Sequence, residues 1–83
     1  MTLEELREEI DILDANLLQL LNERAMCVMK IGEIKKKKQL EVYSPERESE
    51  IMEKLSCINK GPLSNETVHG VFKYLIDAMK SLQ

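Results

Sequence analysis

The chain has little of what covalent catalysis, metal binding or a cross-linked scaffold would use. Its two cysteines, Cys27 and Cys57, are too few for a disulfide framework and lack metal-ligand spacing, and one histidine, His69, adds nothing to them. They read as free thiols of a reducing compartment. No nucleophile–histidine pair stands out, and no cofactor or metal is expected. No apolar run approaches the roughly 20 residues of a membrane span, and no signal-peptide pattern opens the sequence, so the expectation is a soluble, cytoplasmic protein without a membrane partner. The net charge of −3 argues against general nucleic-acid binding, despite the basic run Lys35 to Lys38. At 83 residues there is room for one domain. A chain this short buries only about 60% of the surface its unfolded form exposes and often leans on a partner.

Glycine and proline are also scarce, three and two residues, and their positions divide the chain. Between Thr2 and Gln39 there is no proline and one glycine, Gly32. Across that stretch Leu3, Leu6, Ile10, Leu13, Leu17, Leu20, Cys27, Ile31 and Ile34 follow alternating steps of three and four, with Arg24 at the one gap. This heptad seam predicts a single long helix over about 2–40. Glu4 and Glu5 at its start and the lysines at its end suit the helix dipole. Ser44-Pro45-Glu46 supplies a cap, a first-turn proline and an acid for a second helix over 45–59, stopped by Gly61-Pro62. Its apolar face is Ile51, Met52, Leu55 and Ile58. Ser64 caps a third helix over 65–82, whose stripe is Val68, Val71, Phe72, Leu75, Ile76, Met79 and Leu82. No strand pattern appears. The fold class is all-α, one long and two shorter helices.

Length then bears on assembly. A helix of about 38 residues spans roughly 57 Å, whereas a compact globule of this size is about 30 Å across. The seam overshoots its own domain, so a second copy of the chain is expected to cover it, as a homodimer.

Charged or polar groups on apolar faces cost free energy unless something pairs with them. Arg24 sits in the seam. Arg47 and Glu48 lie four residues before Ile51 and Met52. Gln83 falls four after Met79 and seven after Ile76, on the apolar side of the third helix. Lys35 is about three turns past Arg24 on nearly the same face, with an axial gap of about 16 Å that two long basic side chains can close around a small anion. Arg7 lies about 25 Å up the helix from Arg24 and off its face, so it joins this cluster only from a partner chain. Blander roles exist for each. Arg24 can fix coiled-coil register, Arg47 and Glu48 can bond to each other or to water, and Gln83 can be an exposed chain end. His69 is expected at the surface, Cys27 as a small core residue, and Met26, Met29 and Met52 as packing. Together the polar residues on these faces suggest a pocket for a small dianion.

Leu6-Arg7-Glu8-Glu9-Ile10-Asp11, Leu20-Leu21-Asn22-Glu23-Arg24 and Ile31-Gly32-Glu33-Ile34-Lys35 resemble the first helix of the all-helical chorismate mutases, and Pro45-Glu46-Arg47-Glu48 resembles the start of their second. Gly61-Pro62, Glu66-Thr67, Phe72-Lys73 and Leu82-Gln83 look like the subtype fused to DAHP synthase. The resemblance covers residues 1–83 as one domain and implies an intertwined homodimeric helical bundle. It also implies roles. Arg24, with Arg7 of the partner subunit, would hold the two carboxylates of chorismate. Lys35 would contact a carboxylate and the ether oxygen whose bond breaks, and Gln83 would donate to that oxygen. Glu48 would accept from the ring hydroxyl, and Arg47 would support the carboxylate site or order Glu48. Ser44 stands where some relatives carry aspartate, with a contact partly through backbone, and Met79 replaces a small polar residue seen in others.

The implied activity is the Claisen rearrangement of chorismate to prephenate, in phenylalanine and tyrosine biosynthesis. It is intramolecular and runs on conformational restriction and electrostatic stabilisation. Two rival readings are an isochorismate pyruvate lyase on the same fold and a helical dimerisation or regulatory module whose polar seam residues only set register. A carboxylate following Gln83 directly would repel a dianion, so the whole chain is expected to continue beyond it, joined to or associated with another aromatic-pathway enzyme such as DAHP synthase.

Overall fold

A computed structural model describes all 83 residues. It contains helices α1 (Leu3–Lys38), α2 (Pro45–Ile58) and α3 (Asn65–Met79), followed by a 3-10 turn, Lys80–Leu82. The α1 and α2 boundaries fall within one or two residues of those predicted. The third helix ends earlier, at Met79 rather than Leu82, and the tighter turn takes over.

Each helix start has a local cause. Thr2 is extended and its Oγ1 accepts the Glu5 N–H at 3.1 Å. Ser44 Oγ accepts the Arg47 N–H at 3.3 Å, with Pro45 at the first helical position, and Ser64 Oγ accepts the Thr67 N–H at 3.1 Å. Caps of this kind contribute about 1 kcal/mol each. Gln39, at φ 56°, turns α1 off in the left-handed region, and the Leu40 N–H donates to the Lys35 carbonyl at 2.8 Å. Between α2 and α3 the Asn59 amide donates to the Leu63 carbonyl at 2.9 Å and accepts from the Gly61 N–H at 3.1 Å. Gly61 holds φ 75°, a conformation that favours glycine.

The two short helices form a hairpin in which Ile51, Met52 and Leu55 share a half-buried layer with Val68, Phe72, Leu75 and Ile76. His69 belongs to that layer and not to the surface. Its Nε2 lies 2.7 Å from Ser56 Oγ and 3.2 Å from the Met52 carbonyl oxygen. Three residues before Phe72 and seven before Ile76, it shares their helical face.

The long helix is covered by its own chain only in its C-terminal half, where the terminal turn crosses it. Leu21, Arg24, Ala25, Val28 and Lys35 are half-buried there, and Gly32 is the one buried residue of the chain. All of the first twenty residues are exposed. The seam is bare: Leu13 is 64% and Leu20 61% exposed. Cys27 is exposed too, and so are Met26 and Met29, against the expectation of a core and packing role. The chain folds over the flank of α1, about a quarter-turn from the seam, so these residues stay largely uncovered by their own subunit. At a rise of about 1.5 Å, 36 residues make α1 about 54 Å long, and the molecule measures 54 × 23 × 16 Å. Its radius of gyration is 15.9 Å, against about 12 Å for a compact chain of this length.

Candidate active site

One cleft of about 250 Å³ opens where α1, the α1–α2 connection, the start of α2 and the end of α3 converge. Six of the seven residues singled out from sequence stand in its wall: Arg24 and Lys35 from α1, Ser44, Arg47 and Glu48 from the head of α2, and Gln83 after the terminal turn. Apolar wall is supplied by Val28, Ile31, Ile51, Ile76 and Met79. Arg7 is elsewhere, exposed near the other end of α1.

The cations are held in place by neutral partners. Arg24 Nη1 donates to Met79 Sδ at 3.0 Å, so Met79 does meet a polar group, through its thioether. Lys35 Nζ donates to the Val42 carbonyl at 2.7 Å, which ties the end of α1 to the connection ahead of α2. No carboxylate lies within ion-pair distance of either group. Their charge is left for an anion in the cleft.

Glu48 is the one acid in the wall. Its side chain is 15% exposed, with Oε1 2.8 Å from Lys73 Nζ and Oε2 3.7 Å from Lys80 Nζ. Oε2 is buried and has no hydrogen-bond partner within the chain. The expectation that Arg47 orders Glu48 does not hold. Arg47 pairs with Glu50 at 3.2 Å, one turn along the exposed side of α2, and lysines of α3 and the terminal turn hold Glu48.

Those lysines were not singled out from sequence. Lys73, Asp77 and Lys80 follow steps of four and three along one face, so their charges meet. Asp77 Oδ1 is 3.2 Å from Lys73 and 3.0 Å from Lys80, and Lys80 Nζ also sits 4.3 Å from the centre of the Tyr43 ring. The hydrogen bond from Lys80 holds the Asp77 carboxyl below the usual carboxylate range. Hydrogen bonds to Glu48 and then Asp77 raise Lys73 above the ordinary lysine value. The i,i+4 and i,i+3 spacing was visible in the sequence, but its direction towards Glu48 depends on how α3 packs on α2.

Gln83 reaches the cleft differently from the sequence expectation. The α-helical register from Ile76 would carry it along α3, but the chain tightens after Met79 and the Gln83 N–H donates to the Lys80 carbonyl at 3.2 Å. This lays Gln83 against α1 at Gly32.

Fold and site together define a class: an all-helical domain with a cationic, apolar-walled cleft for a small anion. Residues 6–83 match the chorismate mutase type II family, and the chain belongs to that family. It is 45% identical over 85 residues to the bifunctional chorismate mutase/prephenate dehydratase of Aquifex aeolicus, an alignment covering 98% of this chain and 24% of that protein. The chain therefore spans about a quarter of the length of the curated relatives it matches. Those relatives are named for prephenate dehydratase as their second activity, and not for the DAHP synthase expected from sequence. Among solved structures, chorismate mutase from Thermus thermophilus superposes with a TM-score of 0.94 at 35% identity, covering 95% of this chain and 90% of that one. Chorismate mutase from Helicobacter pylori in complex with prephenate gives 0.88 at 35% identity, covering 96% and 87%.

Proposed function

We propose that this domain catalyses the rearrangement of chorismate to prephenate in the cleft between α1 and the α2–α3 hairpin. The observation that carries this is the pairing of two uncompensated cations, Arg24 and Lys35, with the non-titrating amide of Gln83 on one apolar-walled cleft. Chorismate is a dianion whose reaction breaks one C–O bond and forms one C–C bond within the same molecule. Arg24 binds one carboxylate, and Arg7 of the partner subunit binds the other. Lys35 contacts a carboxylate and the ether oxygen, and Gln83 donates to that oxygen as it gains negative charge. Glu48 accepts from the ring hydroxyl. Arg47 adds positive charge at the mouth of the cleft, and Ser44, whose Oγ is engaged as the α2 cap, contributes mainly by fixing Arg47 and Glu48. Holding the enolpyruvyl side chain over the ring lowers the barrier by several kcal/mol, and each well-placed donor to the oxyanion contributes about 3 kcal/mol.

The working unit is a homodimer in which the bare seams of two α1 helices cover each other and bring Arg7 to the neighbouring cleft. In its whole protein the mutase acts beside a second aromatic-pathway activity. The relatives' names support prephenate dehydratase, and the motifs near the C-terminal end support DAHP synthase. Assaying the intact native polypeptide for both second activities decides between them.

The mutase activity is tested by incubating the purified domain with chorismate and, separately, isochorismate. Loss of chorismate absorbance with stoichiometric prephenate is expected. Pyruvate release from isochorismate without prephenate formation identifies a lyase, and inertness towards both leaves a dimerisation module.

A further inference from the structure

We infer that Gly32 is a positioning residue for catalysis: the lack of a side chain there lets the terminal turn lie flush on α1 and sets the Gln83 amide in the cleft. This rests on the proposed role of Gln83. Glycine weakens a helix interior relative to alanine, yet this one sits inside the longest helix, within two turns of its end, at the only buried position of the chain. A Cβ at residue 32 would stand 2.6 Å from Gln83 Cα, 3.0 Å from its carbonyl carbon and 3.2 Å from its Cβ. All three atoms are main chain or the root of the side chain, so no rotamer change relieves the overlap. The turn has to lift instead. Gly32 lies two turns after Arg24 and three residues before Lys35, so the docking point fixes the height of Gln83 between the two cations that face the cleft. Restoring ordinary separation moves Gln83 on the order of 1 Å, a misplacement that can slow a reaction about 100-fold.

The other helical glycine provides the control. Gly70 in α3 has nothing within 4 Å of the corresponding Cβ position. Steady-state chorismate kinetics would be measured for the parent, Gly70→Ala, Gly32→Ala, Gln83→Ala and the Gly32→Ala/Gln83→Ala double variant, with helicity and melting checked for each. Gly70→Ala should match the parent. Gly32→Ala should lose at least about tenfold in kcat with little change in KM, because Arg24 and Lys35 stay in place. In the double variant the Gly32 substitution should add less than about twofold to the loss from Gln83→Ala, since both remove one interaction. A Gly32→Ala enzyme as active as Gly70→Ala, beside an impaired Gln83→Ala, overturns the inference alone. A Gln83→Ala enzyme as active as the parent overturns the role of Gln83 itself. Additive losses reduce Gly32 to a packing residue and also overturn the inference. If Gly32→Ala does not fold, the parent decides by NMR: a strong NOE between the Gly32 and Gln83 α-protons is required, and its absence refutes the docking.

Discussion

Arg7 and Arg24 sit on one helix, 17 residues and about 25 Å apart along a straight axis, so they cannot reach one small dianion from the same subunit. In the proposed homodimer each cleft would take Arg24 from one chain and Arg7 from the other. Arg7→Ala and Arg24→Ala homodimers should then each be nearly inactive, because every cleft lacks one carboxylate clamp. Mixing equal amounts, with mild unfolding and refolding to exchange subunits, makes about half of all dimers heterodimeric. In each heterodimer one cleft has both arginines and the other has neither. Half the dimers with one of two clefts restored gives about one quarter of the parent's kcat per total chain, at the parent's KM. The assay is chorismate consumption before and after exchange, with the heterodimer fraction counted by native mass spectrometry. Recovery that stays at the level of the separate variants, despite confirmed heterodimers, refutes the shared cleft and leaves Arg7 with a structural role.

The bare seam predicts that sedimentation at micromolar concentration finds dimers and no well-folded monomer; a helical, cooperatively melting monomer would contradict it. Gln83→Glu should be poor at pH 8, where an ionised carboxylate repels the ether oxygen, and should recover as pH falls towards about 5, as it becomes a donor. The parent and Gln83→Ala should show no such gain, and a glutamate variant with the parent's pH profile places Gln83 away from that oxygen. Asp77 should titrate below its ordinary 3.8, by NMR of its carboxyl carbon, and Lys80→Met should raise that pKa more than Lys73→Met does. Because the folded pKa is depressed, the stability Asp77 contributes is present above the ordinary value and lost as pH falls through the folded one. Lys73 has the opposite sign, its contribution being complete below 10.5 and lost as pH rises through its raised pKa. Equal shifts from both lysine variants would remove Lys80 as the stronger partner.

Periodicity, caps and breakers are local signals. The sequence alone therefore determined three helices, their starts at Thr2, Ser44 and Ser64, and a seam too long for one subunit. The same patterns marked Arg24, Lys35, Arg47, Glu48 and Gln83 as polar groups out of place, the family resemblance added Ser44, and those six stand in one cleft. Tertiary structure decided what depends on the angle between helices. His69 entered the α2–α3 layer because its neighbours three and seven residues on face α2. Glu48 found Lys73 and Lys80 in place of Arg47 because α3 crosses the buried side of α2, whereas Arg47 points along the exposed side. The last α-helical turn gave way to a 3-10 turn, and Gln83 came to rest on Gly32. A glycine in a heptad pattern shows only that a side chain is missing, and which backbone occupies the space is fixed by chain segments about fifty residues apart closing on one another.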